Sequence, residues 1–181
     1  MRKIILAAAT AFIAVLFAAC TKDSSKSLIG SYTYKTSGTV TLQTNLDNLD
    51  EDVRAALEKL GFKNSPTTVE LYPEQGQMHI QDSKAGDGKV VITFNDLLGN
   101  ADVADGTVNE DRVTITGTPV KSAHLTDGTL KIGSGNVTFS GSGRKYDDVL
   151  IFDLVYEGSF TVSGVRMDIT GCDVRCVAQK N

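Results

Sequence analysis

From residue 29 onward, apolar residues recur at every second position. Tyr32 and Tyr34 share one parity, as do Val40 and Leu42, Val69 and Leu71, Met78 and Ile80, then Val90, Ile92 and Phe94. The rhythm continues through Val113 and Ile115, Leu130 and Ile132, Val137 and Phe139, Phe160 and Val162, and finally Val165, Met167 and Ile169. Polar residues fill the places between. Such alternation describes antiparallel strands with one face buried and the other in water. Turn-forming clusters punctuate it: Pro73-Glu74-Gln75-Gly76, Ala85-Gly86-Asp87-Gly88, Asp105-Gly106, Asp127-Gly128 and Gly133-Ser134-Gly135. About ten or eleven strands are predicted at hairpin spacing. No period of about 20–50 residues repeats, which argues against a propeller or solenoid. The fold class is therefore all-β and mainly antiparallel, a barrel or a sandwich.

One segment, about 48–60, has helical period instead. Asn48 with Glu51 three places on forms a capping-box pattern, and Asp50, Glu51 and Asp52 suit the positive end of the helix dipole. Leu49, Val53, Ala56, Leu57 and Leu60 fall on one face, and Gly61 offers a left-handed C-terminal residue. This face must lie on something apolar, a barrel mouth or a sheet face. The stretch Asp148–Glu157 offers one candidate: Leu150, Phe152, Leu154 and Tyr156 are apolar on one side, and Val149, Ile151 and Val155 on the other. A strand apolar on both sides is covered on both, by the helix or by an oligomer interface.

The first 19 residues follow neither rhythm. Arg2 and Lys3 precede the uncharged run Ile4–Ala19, which ends in small residues. That run is short of the roughly 20 residues that span a bilayer, and it has the parts of a secretory signal peptide. Leu16-Phe17-Ala18-Ala19-Cys20 then resembles the lipobox of bacterial lipoproteins, with Phe17 where Leu is usual. The resemblance implies cleavage before Cys20 and lipid on its sulfur. At about 0.8 kcal/mol per buried CH₂, two or three acyl chains hold a protein to a membrane without a transmembrane helix. Residues 20–27 read as a lipidated cysteine and a polar tether. Residues 28–181 form a single β domain. Lys22-Asp23 resembles the charged signal that sends Bacteroidetes lipoproteins to the cell surface, although a merely soluble tether reads the same way.

Composition now divides along the same lines. The chain has 181 residues, 18 basic against 22 acidic side chains, and a formal charge of −4. Removal of Arg2 and Lys3 makes the mature charge −6. No basic surface for nucleic acid is implied.

Catalytic and metal signatures are not found. His79 and His124 lie in no metal-ligand spacing. Gly141-Ser142-Gly143 is no nucleophile elbow and reads as a hairpin turn. Asn100–Gly106 places its oxygen donors out of step with a calcium loop and reads as a solvated turn. Asp147 and Asp148, adjacent on an extended strand, face opposite ways. Cys172 and Cys176 are about 13 Å apart on one strand face, beyond disulfide reach unless the chain turns. They read as core thiols, with Gly171 a bulge that resets parity and a cystine the minor alternative. No cofactor is implied and no enzyme predicted.

The lipobox, the tether, Leu28-Ile29-Gly30-Ser31-Tyr32 and the all-β remainder ending at Cys176–Asn181 together resemble small Bacteroidetes lipoproteins with a calycin-like, or lipocalin-like, β-barrel. Gly30-Ser31-Tyr32 stands where lipocalins carry Gly-x-Trp, and the helix is inserted early rather than late. Arg175 would, on that resemblance, pack over a barrel end. The family implies outer-membrane attachment through Cys20, on the periplasmic or the surface side. Barrel-like strand number suggests a small apolar or amphipathic ligand, with Tyr32, Tyr34, Phe94, Phe139, Phe152 and Tyr156 among the candidate lining residues. The alternative is a surface interaction module whose core the same aromatics simply fill.

Overall fold

The computed structural model describes residues 24–181, apart from 72, 98, 121–123, 126–129, 132–134 and 163. The export segment, Cys20 and the start of the tether lie outside the described residues. The strands are β1 (Gly30–Thr44), β2 (Thr67–Glu70), β3 (Gln75–Asp82), β4 (Lys89–Asp96), β5 (Ala101–Asn109) and β6 (Arg112–Pro119). A small hairpin of β7 (His124–Leu125) and β8 (Leu130–Lys131) follows, then β9 (Gly135–Tyr146), β10 (Val149–Val162) and β11 (Val165–Lys180). Helix α1 (Glu51–Lys59) is inserted between β1 and β2.

Among the described residues, eight strands close an antiparallel barrel in the order β1-β3-β4-β5-β6-β9-β10-β11. Closure is made by β11 against β1, from Tyr32↔Lys180 to Thr44↔Met167, which decides for a barrel over a sandwich. Strand β1 serves two neighbours on its other side: Gly30–Lys35 pair with β3 and Thr39–Leu42 with β2. The change of partner falls at Gly38, whose φ of 145° and whose contact with the Asp173 carbonyl leave no room for a Cβ. The expected bulge before Cys172 is present, as a register shift opposite Thr41 and Leu42.

Apart from Leu130 and Ile132, whose side chains lie outside the described set, the alternating positions join one apolar cluster inside the barrel. Three expected turns are instead strand. Asp105-Gly106 and the Asn100–Gly106 stretch belong mostly to β5, whose hairpin to β6 turns at Glu110, with φ of 57°. Gly141-Ser142-Gly143 lies within β9. The physical reason is packing. Gly106 and Gly143 face inward, and a Cβ on Gly143 would overlap the Phe152 ring. Asp127-Gly128 and Gly133-Ser134 lie outside the described residues.

The two ends of the barrel are built differently. At one, the hairpins β3–β4, β5–β6 and β9–β10 meet the incoming chain. The last tether residues, Ser24–Ser27, form a 3-10 turn rather than featureless coil. Lys145 Nζ and Lys180 Nζ donate to the Ser27 carbonyl at 3.0 and 3.3 Å, and Leu28 is completely buried behind it. This is the closed end.

The other end carries α1 and β2. The helix begins at Glu51, so Asp50 is the N-cap and makes no side-chain capping bond; the expected Asn48–Glu51 box does not form. Its C-terminus matches expectation: Gly61 has φ of 89°, Gly61 N–H donates to Glu58 O, and Phe62 N–H to Leu57 O. Leu57 alone is buried on the helix, Leu49 and Val53 are half-buried, and Ala56 and Leu60 are exposed. Leu57, Leu46 and Phe62 belong to the same apolar cluster as Leu42, Val69 and Leu71, so the helix segment packs onto the core through Leu57 at this end. It leaves the outer face of β10 uncovered, where Val155 is exposed and Ile151 half-buried.

Candidate functional site

The six candidate lining residues all point into the barrel and are all buried. They divide between two levels. Tyr32 and Phe152 belong to the closed end. The Tyr32 hydroxyl donates to Leu28 O at 2.7 Å, and the Phe152 ring packs over Gly143. Burial, then the nearby Asp148 carboxylate, raises the Tyr32 pKa. Both residues are structural plugs.

Tyr34, Phe94, Phe139 and Tyr156 come together in one layer below the lid. Tyr34 meets Phe94 edge-on with centroids 5.4 Å apart, Phe94 meets Phe139 at 5.9 Å, and Phe139 meets Tyr156 at 6.0 Å. Their four strands bring them together because each occupies an inward position near the lidded end. Each ring is within contact distance of the next along this row.

Polar groups that sequence reasoning missed stand beside this layer. Glu74, expected in a turn, precedes β3 with its carboxylate turned inward, where it accepts a 2.7 Å hydrogen bond from the Tyr34 hydroxyl. Thr36 clasps the Glu74 backbone from both sides: its N–H and Oγ1 donate to Glu74 O, and its Oγ1 accepts from Glu74 N. Burial raises the Glu74 pKa, as do Asp102 and Asp96, against the lowering effect of the Tyr34 hydrogen bond. Asp96 and Asp102 continue the inward parity of Val90-Ile92-Phe94 and of Ala104-Gly106-Val108. Asp96 also accepts from the backbone N–H and the side chain of Asn100.

Tyr156 is only 8% exposed. Burial raises its pKa, with Glu74 the next cause and Asp102 a further one. Cys176 is buried, and burial together with Glu74 pushes its thiol up to about 12. Cys172 is half-buried; its Sγ accepts from Tyr156 N at 3.4 Å. Both thiols are free. At the foot of the lid, Thr44 Oγ1 is buried without a partner. A buried hydroxyl without a partner is unusual in a core, where such groups are nearly always satisfied.

The remaining candidates are dispersed. His79 lies on the outer wall, half-buried, with Nδ1 3.0 Å from Ser31 Oγ. His124 is in β7, and its side chain lies outside the described set. Arg175 does not cap a barrel end; it stands on the outer wall, 3.2 Å from Asp153. That wall also holds a concavity of about 420 Å³ floored by Ile151 and Ser142 and rimmed by Arg112, Arg144, Arg175 and Tyr146. Among the described residues, no group of three His, Cys, Asp or Glu is placed to hold a metal ion.

No family model matches the chain. No curated protein matches it either. A solved structure of EF1p2_mFAP2b bound to DFHBI is similar over 89% of this chain and 100% of its own length, at 14% identity and a TM-score of 0.41. So loose an overlap carries no argument about a ligand.

Proposed function

We propose that the protein is a lipid-anchored, non-enzymatic binding protein of the cell envelope, attached to the outer membrane through Cys20. Its ligand is a small apolar or amphipathic molecule received at the lidded end of the barrel. One observation carries this reading: a four-ring aromatic layer and a polar group of Glu74, Tyr34 and Tyr156 share the level beneath the lid. A scaffold barrel has no use for an inward carboxylate, because burial disfavours its charged form. An amphipathic ligand gives it one. The apolar body lies on the rings, and a polar head meets the Glu74 carboxylate and the Tyr156 hydroxyl.

Entry is through the lid. Helix α1 contributes one buried side chain, Leu57, so lifting it uncovers little apolar surface compared with opening the barrel wall. The interior then exposed is lined by Val40, Leu42, Val69 and Leu71, which supply apolar contact in place of the lid. The signal-like run Ile4–Ala19 and the lipobox-like Leu16–Cys20 support the anchor.

Native mass spectrometry of protein purified from its own cells tests the binding reading. A co-purifying small molecule, lost in Phe94→Ala and Tyr156→Phe variants that remain folded, is the expected result. Ligand-free wild type, or a ligand indifferent to both changes, overturns it. Cys20→Ala should abolish lipid labelling, and continued labelling of that variant defeats the anchor.

The contact of all four rings favours a second reading, an interaction module with a filled core. It predicts ligand-free protein and a working surface on the outer wall.

A further inference from the structure

The outer wall near the closed end has no role in the reading above. On it, Arg112 of β6 and Arg144 of β9 are direct cross-strand partners. Like charges so placed repel and lower sheet stability. Asp111 relieves Arg144 through a 2.6 Å ion pair, and Asp153 relieves Arg175 at 3.2 Å. The concavity these side chains rim therefore gathers three cations, two of them paired with Asp111 and Asp153 and the third, Arg112, without an ion pair among the described residues, in a chain whose formal charge is −4. Tyr146 and Ile151 add apolar surface to its lining. Tyr146 is 53% exposed with the Arg144 guanidinium 5.7 Å from its ring centre, and Ile151 pairs with the exposed Val177.

The position of this wall bears on its partner. The described chain begins at the closed end, where Ser27 is held by Lys145 of β9 and Lys180 of β11, the strands on either side of β10. Cys20 is four residues before Ser24, a reach of at most about 14 Å. A lipid on Cys20 therefore keeps the closed end, and the wall beside it, close to a bilayer surface. Arginines over a half-exposed tyrosine are suited to that boundary: the guanidinium binds phosphate in a fork, and the aromatic ring sits at headgroup level.

We propose that the Arg112–Arg144–Arg175 concavity is a docking site for the headgroup phosphate of an anionic lipid, with Tyr146 and Ile151 lying at the acyl boundary. The site rests on the anchored reading for its nearness to the membrane. Docking there sets the barrel's orientation and turns the lidded end away from the bilayer, toward whatever supplies the ligand.

The chain has no tryptophan, so Tyr146→Trp introduces a single fluorophore at the site. The full-length variant, purified in detergent and reconstituted into vesicles, is read by quenching from brominated acyl chains. Strong quenching in phosphatidylglycerol and weak quenching in phosphatidylcholine is expected. The docked-to-undocked ratio should fall about fivefold for each of Arg112→Ser and Arg144→Ser, in line with one phosphate-facing charge lost. Arg112→Lys should retain most of it. Equal quenching in both lipids, no quenching, or indifference to the serine variants overturns the proposal. Competition by inorganic phosphate alone reassigns the groove to a soluble anion and also overturns it. Lipid labelling at Cys20, measured on the same preparation, reports separately on the anchor.

Discussion

The closed and lidded ends of this barrel contain the same kinds of side chain put to different use. At the closed end, Tyr32 satisfies its hydroxyl on Leu28 O, Phe152 fills the space left by Gly143, and the incoming chain is tied by two lysines. Every polar atom named there has a partner. At the lidded end, Tyr34 is committed to a half-buried carboxylate, while the Thr44 hydroxyl is buried without a partner. The difference teaches that aromatic content does not by itself mark a binding site. Satisfaction of the polar atoms separates plug from site.

Substitutions at the two ends should therefore fail in different ways. Phe152→Ala removes a completely buried ring at the closed end and should cost about 4 kcal/mol of global stability, seen as a lower midpoint in urea. Leu57→Ala should cost about 2 kcal/mol. That loss should appear as easier opening of the lid, with a smaller change in global Tm. If both substitutions merely shift one cooperative transition, the ends are not distinct. Gly61→Ala, forced to keep a φ of 89°, should cost about 1 kcal/mol at the helix terminus and sharpen the same test.

The smallest effect is a pH dependence at Glu74. Its pKa in the folded protein lies above the ordinary value of 4.5, because of burial first and then Asp102 and Asp96. The stabilisation that follows is complete below that ordinary value and is lost as pH rises through the raised one. Glu74→Gln removes this loss, so the Tm difference should move in the variant's favour from acid to neutral pH. A constant difference would show Glu74 to be no more strained than a surface carboxylate.

Much of this architecture was legible in the alternation itself. The inward parity of Tyr32-Tyr34, Val90-Ile92-Phe94 and Leu150–Tyr156 is carried into the structure unchanged. The helix and its Gly61 terminus were also legible, since periodicity and a left-handed residue are local properties. Glycines misled where their purpose is tertiary. Gly106 and Gly143 look like turns in sequence but make room for Val90 and Phe152, their direct partners on the neighbouring strands. Glu74 was hidden for a similar reason: Pro73-Glu74-Gln75-Gly76 has turn composition, and only the pairing of β1 with β3 brings the carboxylate to Tyr34. Asp96 could have been found by extending the parity of β4 two places.

Hydrogen–deuterium exchange resolved to single amides tests the central claim most directly. The Phe62 and Leu71 amides, bonded to Leu57 O and Gly38 O, report on the lid, and the Lys145 and Lys180 amides, bonded to Asp111 O and Asp148 O, on the closed end. The account predicts that the lid amides exchange through a local opening of lower free energy than global unfolding, and that bound ligand slows them while leaving the closed end unchanged. Exchange of all four amides only through global unfolding would contradict it.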